Sequence, residues 1–377
     1  MRLVPIAQGA AAAVVLARLA RGRDRPGPLA GADLPVTAWT DAGPVRPTVS
    51  LVVPARDEAG RIGPLLAAAM DDPQLHEVVV VDDESADDTA KVAAAAGATV
   101  VAGRPLPPGW VGKQWALRQG VEAATGEWVL TLDADALPHP GLAGALLAAA
   151  AGHGFDLLTA GPRLDCRTPG EQLLHPSMLA TLVYRFGPPG QDMPRRVLAN
   201  GQCTLFRREL LADGEVFAAI ADRMTDDVAL ARELARRGHR VGFLDASELL
   251  TVRMHTSAAE VWREWGRSLA LADVTSPTAM AGDLAVIWLT MALPPLRLAS
   301  GRGTPLDAAL LAVRGALGLA LARSYERPRR WVRLAPLADP VTAVRLTVSA
   351  LRPVRSWRGR HYGPTAMPSR TGARSGS

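Results

Sequence analysis

The stretch EWVLTLDAD, at residues 127–135, decides the fold of this chain. It begins with a continuous run of apolar residues and ends in two carboxylates, Asp133 and Asp135, with one residue between them. A run that does not alternate between apolar and polar residues is typical of a strand buried on both faces. The stretch therefore predicts a central strand whose carboxyl end carries two acidic side chains.

The same pattern occurs in three earlier apolar runs, at 49–55, 77–83 and 98–103. Stretches rich in alanine and leucine separate the runs, at 59–70, 86–96 and 113–124. Alternation of strand and helix predicts an α/β fold, with a mostly parallel, twisted sheet flanked by helices. Such sheets bind ligands just beyond the carboxyl ends of their strands, where the acidic residues of this chain lie.

Beyond residue 140 the pattern is less regular. Further strands are predicted near 156–163, 202–207 and 240–246. A helix is predicted at 226–237, with Thr225 as its N-cap and Gly238 at its end. Another helix is predicted at 257–272.

Changes in composition predict five segments along the chain. The apolar segment 1–20 is a candidate N-terminal membrane anchor, and the same residues would suit a helix at the interface or on the protein. A linker rich in Pro, Gly and Arg follows at 21–48. We expect a catalytic domain at 49–272, apolar membrane-associated helices at 273–355 and a basic tail at 356–377.

The apolar C-terminal segment contains three runs, at 284–296, 305–322 and 334–351. Four charged residues interrupt the last two runs: Asp307, Arg314, Asp339 and Arg345. None of the runs offers eighteen uninterrupted apolar residues. The runs therefore suit either an imperfect membrane bundle or helices that lie in the membrane interface.

The net charge of +5 hides an uneven distribution. From Arg297 onward there are fifteen arginines and three acids, a net charge of +12, so the preceding part carries −7. This asymmetry disfavours a uniform nucleic-acid-binding surface, and no nucleic-acid partner is expected. A basic region beside apolar segments suits the anionic surface of a membrane.

The pair Asp133 and Asp135 is the strongest chemical signal in the sequence. Oxygen ligands of this kind suit Mg²⁺ or Mn²⁺. A cation held there would bridge a diphosphate and neutralise charge on a departing phosphate. A solvated acidic turn would have the same pattern, so the pair alone does not decide between the two interpretations.

Other polar groups are expected at the same edge of the sheet. Pro54 is the last residue but one of the first run. The loop after this run offers Arg56 to a phosphate and Glu58 to a sugar or base. Asp83, at the end of the second run, can accept hydrogen bonds from a base or a ribose. Lys113 follows a glycine at a helix start, a position that favours anions such as a diphosphate.

Asp226 and Asp227 open the helix at 226–237 and are the candidate general base. A carboxylate there can take a proton from an acceptor hydroxyl as that hydroxyl attacks the anomeric carbon of a sugar. Favourable interaction with the helix dipole would also explain two acids in a first turn. The residues alone leave both explanations open.

These motifs, in this order, resemble those of the family 2 glycosyltransferases, which share the GT-A fold. The resemblance covers residues 48–270 and rests on Pro54-Ala55-Arg56-Asp57-Glu58, Asp82-Asp83-Glu84-Ser85, Gly112-Lys113, Asp133-Ala134-Asp135 and Thr225-Asp226-Asp227. Asp226 stands where the family has Glu, so the resemblance leaves open which acid of the pair is the base.

The resemblance implies a role for each of these residues. The residues around the nucleotide would be Pro54, Arg56, Glu58, Asp83 and Lys113. Asp133 would contact the nucleotide sugar and its diphosphate, Asp135 would bind the metal, and Asp227 would be the base. The implied activity is transfer of a hexose from a nucleotide-diphosphate sugar, UDP-linked in our expectation, with Mg²⁺ or Mn²⁺ as cofactor.

A narrower resemblance is to membrane glycosyltransferases of carotenoid and hopanoid pathways, such as the diaponeurosporenoate glycosyltransferases. It rests on the stretches at 106–113, 200–209 and 356–362 and on the apolar C-terminal segments. It implies a lipid or isoprenoid acceptor and a catalytic domain on the cytoplasmic side of the cell membrane. The acceptor side would include Gln202, Arg263 and Trp265.

One carboxylate base and a diphosphate leaving group predict a single displacement with inversion at the anomeric carbon. Two alternatives remain at this point. A nucleotidyltransferase that makes nucleotide sugars would share the type of sheet, but the loop from Ala55 to Ala59 lacks the glycine-rich, basic run such enzymes use. A non-catalytic membrane protein that binds nucleotide sugars is the other.

Overall fold

The central sheet is the core of the structure, a computed structural model that describes residues 3–23, 25–40, 43–190, 196–327, 329–357 and 359–363. Within these residues the sheet has seven strands: β1 (Val49–Ala55), β2 (Glu77–Asp82), β3 (Thr99–Ala102), β4 (Trp128–Leu132), β5 (Leu157–Gly161), β6 (Cys203–Arg207) and β7 (Val241–Asp245). All seven regions predicted as strands therefore form strands, and the expected α/β fold is confirmed.

The strands lie in the order β7, β5, β6, β4, β1, β2, β3. Neighbours are parallel except at β6, which is antiparallel to both β4 and β5. The strands β2 and β3 are added on one side of β1, whereas β4 pairs with β1 on its other side. The order of the strands therefore reverses at β1. A crevice is expected at such a reversal, beyond the carboxyl ends of β1, β2 and β4.

Both faces of the sheet are covered by helices, which explains why its strands do not alternate in the sequence. Val53 packs in the apolar cluster of one face and its neighbour Val52 in the cluster of the other, and both are fully buried. Burying such a side chain contributes about 1.5–3 kcal/mol. The main covering helices are Ile62–Met70 and Leu142–His153 on the first face and Gly112–Ala123, Glu215–Ile220 and Asp226–Arg236 on the second.

Further strands and helices complete this part of the chain. A small sheet pairs Ala136–Pro138, Leu250–Val252 and Arg163–Leu164, and the helical elements include Thr89–Ala95, Pro169–Phe186 and Arg208–Leu210. The predicted linker also contains a hairpin, Ala38–Thr40 with Gly43–Val45. The helix predicted at 257–272 is interrupted by a π-helical segment and ends earlier: its parts are Ala258–Glu260, Val261–Trp265 and Gly266–Ser268.

Three C-terminal helical stretches are long and apolar enough to cross a membrane: Pro277–Ala299, Pro305–Ser324 and Val332–Leu351. The first contains a π-helical segment at Trp288–Ala292, and the last begins with a 3₁₀ segment at Val332–Ala338. The C-terminal helices share an apolar cluster that includes Ile287 and Leu346. The N-terminal helix, Leu3–Ala20, packs in this cluster through Ala11 and Val15.

The charged residues that interrupt these apolar runs in the sequence have partners inside the protein. A guanidinium nitrogen of Arg314 donates to Asp339 at 3.0 Å, and the amide of Gln8 donates to Asp307 at 2.7 Å. Arg345 donates to the backbone carbonyl of Trp262 at 2.9 Å. Paired in this way, the charges need not face a lipid environment, where a lone charge is costly.

Candidate active site

The loops after β1 and β2 are locked together at the carboxyl edge of the sheet. The backbone N–H of Asp57 donates to the hydroxyl of Ser85 at 3.0 Å, and the carboxylate of Asp57 accepts from the N–H of Ala86 at 2.7 Å. Asp57 and Glu84 adopt left-handed φ angles of 53° and 55°, which are uncommon for residues other than glycine. Strain of this kind at both loops fits a preorganised binding edge.

The predicted nucleotide-side residues hold these two loops. Arg56 donates to the backbone carbonyl of Asp83 and, at 3.0 Å, to that of Glu84. Glu58 is buried, and its N–H donates to the hydroxyl of Thr89 at 2.8 Å. Pro54 lies within β1, opposite Val81 of β2.

Lys113 lies at the first turn of the helix Gly112–Ala123 and joins two of the predicted motifs. Its Nζ is 2.8 Å from a carboxylate oxygen of Asp133 and 3.5 Å from one of Asp226. Burial alone would lower the pKa of Lys113, but these carboxylates raise it above its ordinary value. The ammonium group therefore stays charged between the end of β4 and the start of the helix Asp226–Arg236.

The carboxylate of Asp227 is held by two backbone N–H groups. Gly201 donates to one oxygen at 2.9 Å, and Val228 donates to the other at 2.8 Å. Burial, together with the neighbouring Asp226, raises the pKa of Asp227 to about 7. A carboxyl group with such a pKa can exchange a proton near neutral pH, as a general base must.

Asp273 fixes the turn that leads into this helix. Its carboxylate accepts from the hydroxyl of Thr225 at 2.7 Å and from the N–H of Met224 at 2.6 Å. Thr225 occupies the predicted N-cap position, but its hydroxyl makes no capping hydrogen bond because Asp273 holds it. The Asp226–Asp227 pair is thus positioned by an acid that lies far along the chain.

Asp133 and Asp135 follow β4 directly, and both are partly buried. The N–H of Asp133 contacts the carbonyl of Gln202 at 3.4 Å, which ties the end of β4 to the start of β6. Among the described residues, no group of three His, Cys, Asp or Glu side chains could hold a metal. Two carboxylates nevertheless fit Mg²⁺ or Mn²⁺, because such ions commonly complete their coordination with substrate phosphates and water.

A cavity of about 1710 Å³ opens beside Asp133, Asp226 and Asp227, whereas Asp135 is not among its lining residues. Its polar end includes Lys113, Asp133, Asn200, Gly201, Gln202, Asp226 and Asp227. An apolar part of its wall comes from the helices Pro169–Phe186 and Pro305–Leu321, with Leu179, Leu182 and Leu317 among the lining residues. The cavity therefore joins the carboxylates to the apolar C-terminal part of the protein.

Of the other two predicted acceptor-side residues, one lines the cavity and the other does not. Trp265 lines the cavity and stacks on His175, with their ring centroids 4.1 Å apart. Arg263 is largely exposed, lies outside the cavity lining and has an oxygen of Glu264 3.7 Å from its guanidinium. Of the three predicted acceptor-side residues, the cavity thus brings together Gln202 and Trp265.

Three residues of this region were not predicted from the sequence. Gly201 holds the predicted base Asp227, Asp273 holds the turn before it through Thr225, and Arg360 contacts Asp83 at 2.6 Å. Gly201 and Arg360 lie in the stretches 200–209 and 356–362, which stood out in the sequence as part of a resemblance, but neither residue was given a role. Their places in the site depend on long-range folding, which spacing along the chain does not reveal.

Comparison with known proteins supports the fold. A mannosyltransferase from Pyrobaculum calidifontis, solved with GDP-Man and Mn²⁺, is 21% identical, with coverage of 93% of this chain and 98% of that one and a TM-score of 0.52. Glucosyl-3-phosphoglycerate synthase from Mycobacterium tuberculosis, solved with Mn²⁺, UDP and phosphoglyceric acid, is 22% identical, with coverage of 64% and 86% and a TM-score of only 0.42. None of the curated proteins compared with the sequence matches it significantly.

The family follows from the sequence of the catalytic domain. The model of the family described as Glycosyltransferase like family 2 matches residues 47–273, which is more than half of the chain. The matched segment contains the central sheet, both aspartate pairs and Lys113. The protein therefore belongs to glycosyltransferase family 2 and is a glycosyltransferase with a GT-A-like fold.

Proposed function

We propose that this protein transfers a hexose, with inversion, from a nucleotide-diphosphate sugar to a lipid-like acceptor of the isoprenoid kind. The observation that carries the proposal is the cavity that joins the carboxylates around Lys113 to the apolar C-terminal helices. The donor would bind over the carboxyl ends of β1, β2 and β4, and the acceptor would enter from the apolar side. UDP is the nucleotide that we expect the donor to carry.

The donor side would use the residues at the sheet edge. Pro54, Arg56, Glu58 and Asp83 would surround the nucleotide, and Lys113 would lie near its diphosphate. Asp133 and Asp135 would hold Mg²⁺ or Mn²⁺, which when bound would neutralise charge on the departing diphosphate. The Pyrobaculum mannosyltransferase, whose fold is similar, was solved with GDP-Man and Mn²⁺.

The acceptor side would use Asp227 as the general base. As the acceptor oxygen forms its bond to the anomeric carbon, the bond from that carbon to the diphosphate oxygen breaks, and Asp227 takes the hydroxyl proton. The two N–H groups that hold Asp227, from Gly201 and Val228, would fix its orientation. Asp226 pairs with Lys113 at 3.5 Å, which favours its neighbour as the base.

The apolar exterior of the C-terminal helices supports a membrane location. The exposed fractions of Leu319, Leu337 and Val341 are 60%, 70% and 52%. Many exposed large apolar side chains on one group of helices are typical of a surface that contacts a membrane or another protein. We therefore propose attachment to the cell membrane through these helices, with the catalytic domain on the cytoplasmic side.

The test is transfer by the purified full-length protein in lipid nanodiscs that contain an isoprenoid alcohol or an isoprenoid carboxylic acid. Labelled UDP-hexose and GDP-mannose are supplied separately with Mn²⁺. We expect label in the organic extract and release of nucleoside diphosphate. Asp133→Ala should abolish both signals, whereas Asp71→Ala, which removes an exposed carboxylate outside the site, should leave them unchanged.

Three outcomes would contradict the proposal. Release of pyrophosphate in place of nucleoside diphosphate would favour a nucleotidyltransferase. Tight donor binding without transfer to any acceptor would favour a non-catalytic binding protein. Full activity of Asp133→Ala with Mn²⁺ would show that the metal residues are wrong.

A further inference from the structure

The C-terminal hairpin folds back onto the donor edge of the sheet. It pairs Ser356–Trp357 with Arg360–His361, beyond the last apolar helix. One guanidinium nitrogen of Arg360 lies 2.6 Å from Oδ2 of Asp83, and the other pairs with the carboxylate of Glu84. A residue 277 positions away from Asp83 thus reaches the loop after β2.

The residues that flank this hairpin, Arg355 and Tyr362, contact other parts of the protein near the donor edge. The hydroxyl of Tyr362 accepts a hydrogen bond of 3.1 Å from the N–H of Gly112, the residue before Lys113. Arg355 donates to the backbone carbonyl of Asp222 at 2.8 Å. The hairpin therefore bridges the loop that carries Asp83 and the helix start that carries Lys113.

Among the described residues, one oxygen of the Asp83 carboxylate has a hydrogen-bond partner, and that partner is Arg360. The side chain of Asp83 is fully buried, and Oδ2 is bound by Arg360. Within the residues that the structure describes, Oδ1 is buried and has no hydrogen-bond partner. A buried carboxylate without a partner is costly, so the hydrogen bond from Arg360 holds this side chain, and the loop that carries it, in place.

We propose that Arg360 is a positioning residue of the donor site, which fixes the buried carboxylate of Asp83 and with it the loop after β2 that borders the nucleotide. The inference rests on the proposed use of a nucleotide-diphosphate sugar. A planar guanidinium suits this task because its fork can bind Asp83 and Glu84 at the same time. Arg360 touches Asp83 and not the reacting atoms, so it acts on donor binding and not on the displacement itself.

The electrostatics of the pair agree with this geometry. Burial raises the pKa of Asp83 above its ordinary value, while the hydrogen bond and the charge of Arg360 oppose that rise. Arg360 thus favours the ionised carboxylate, in which both oxygens are acceptors.

The test compares nucleotide binding with turnover in full-length variants in nanodiscs. Binding of UDP and of GDP, each with Mn²⁺, is measured by calorimetry, and the donor KM and kcat by nucleoside diphosphate release. Arg360→Gln should weaken binding of the nucleotide about tenfold and raise the donor KM by a similar factor, with kcat nearly unchanged. Arg360→Lys, which keeps the charge but loses the fork, should recover part of the loss.

Arg352→Gln is the matched control, because Arg352 is exposed and lies before the hairpin. It should bind nucleotide as the unaltered protein does, and melting temperatures of all variants report on folding. Should Arg360→Gln unfold, Arg360→Lys alone decides: an unchanged or lower KM overturns the inference. Equal or tighter binding by a folded Arg360→Gln overturns this inference alone, whereas failure of the unaltered protein to bind either nucleotide overturns the proposed function as well.

Discussion

Lys113 lies 2.8 Å from Asp133, although the two residues belong to different motifs and different elements. The ammonium group is the cation beside three carboxylates, those of Asp133, Asp226 and Asp227. Removing it would leave these charges uncompensated in a buried place and would take a donor from the diphosphate. We therefore expect Lys113→Met to lower kcat for sugar transfer by about 10²-fold.

The chain provides its own control for this prediction, since its other lysine is Lys91. Lys91 is exposed and pairs with Asp88 at 2.6 Å on the outer surface of the domain. Lys91→Met should keep kcat within about twofold of the unaltered protein. Nucleoside diphosphate release measures both variants, and equal loss in the two would show that Lys113 has no special role.

A side chain at Gly201 would crowd Asp227, the proposed base. An added Cβ would lie 3.2 Å from Cβ of Asp227 and 3.2 Å from Nζ of Lys113. We expect Gly201→Ala to displace the base and to lower kcat by at least about tenfold. The control is Gly63→Ala, where nothing lies within 4 Å of the added atom. A fully active Gly201→Ala would contradict the proposed position of the base.

The raised pKa of Asp227 predicts how activity depends on pH. A general base works as the carboxylate, so activity should be lost as the pH falls through the raised pKa of about 7. The acidic limb of kcat/KM should therefore lie near 7, well above the value of about 4 that is ordinary for aspartate. A limb near 4, or a fully active Asp227→Asn, would exclude Asp227 as the base.

The buried pair of Arg314 and Asp339 predicts a stability effect. Arg314→Met would leave the carboxylate of Asp339 buried without its cation, at a cost of about 3–5 kcal/mol. The double variant Arg314→Met with Asp339→Leu removes both charges and should be more stable than the single one. Thermal unfolding in detergent measures both, and a double variant less stable than Arg314→Met would contradict this explanation.

Much of the catalytic domain was predictable from local sequence. Strands buried on both faces leave long apolar runs, and helices that cover them recur between those runs, so all seven strands of the sheet were found. The acids at strand ends followed from the same argument, because parallel strands bring their carboxyl ends to one edge.

What could not be predicted depends on contacts between distant parts of the chain. Nothing in the spacing of Asp273 indicates that it holds Thr225, and the charge of Arg314 argued against a membrane helix until its partner Asp339 was known. The hairpin in the predicted linker and the early end of the helix at 257–272 also depend on packing. Propensity and periodicity describe single elements and do not report these pairings.

The N-terminal helix and the C-terminal helices form one cluster, and Gln8 reaches Asp307 across 299 positions of sequence. The central sheet is complete by residue 245, so it can fold on the ribosome before this cluster exists. The walls of the cavity must wait for residues 305–321, and the bridge over Asp83 must wait for Arg360. We therefore expect the catalytic domain to fold during synthesis before the cavity is completed.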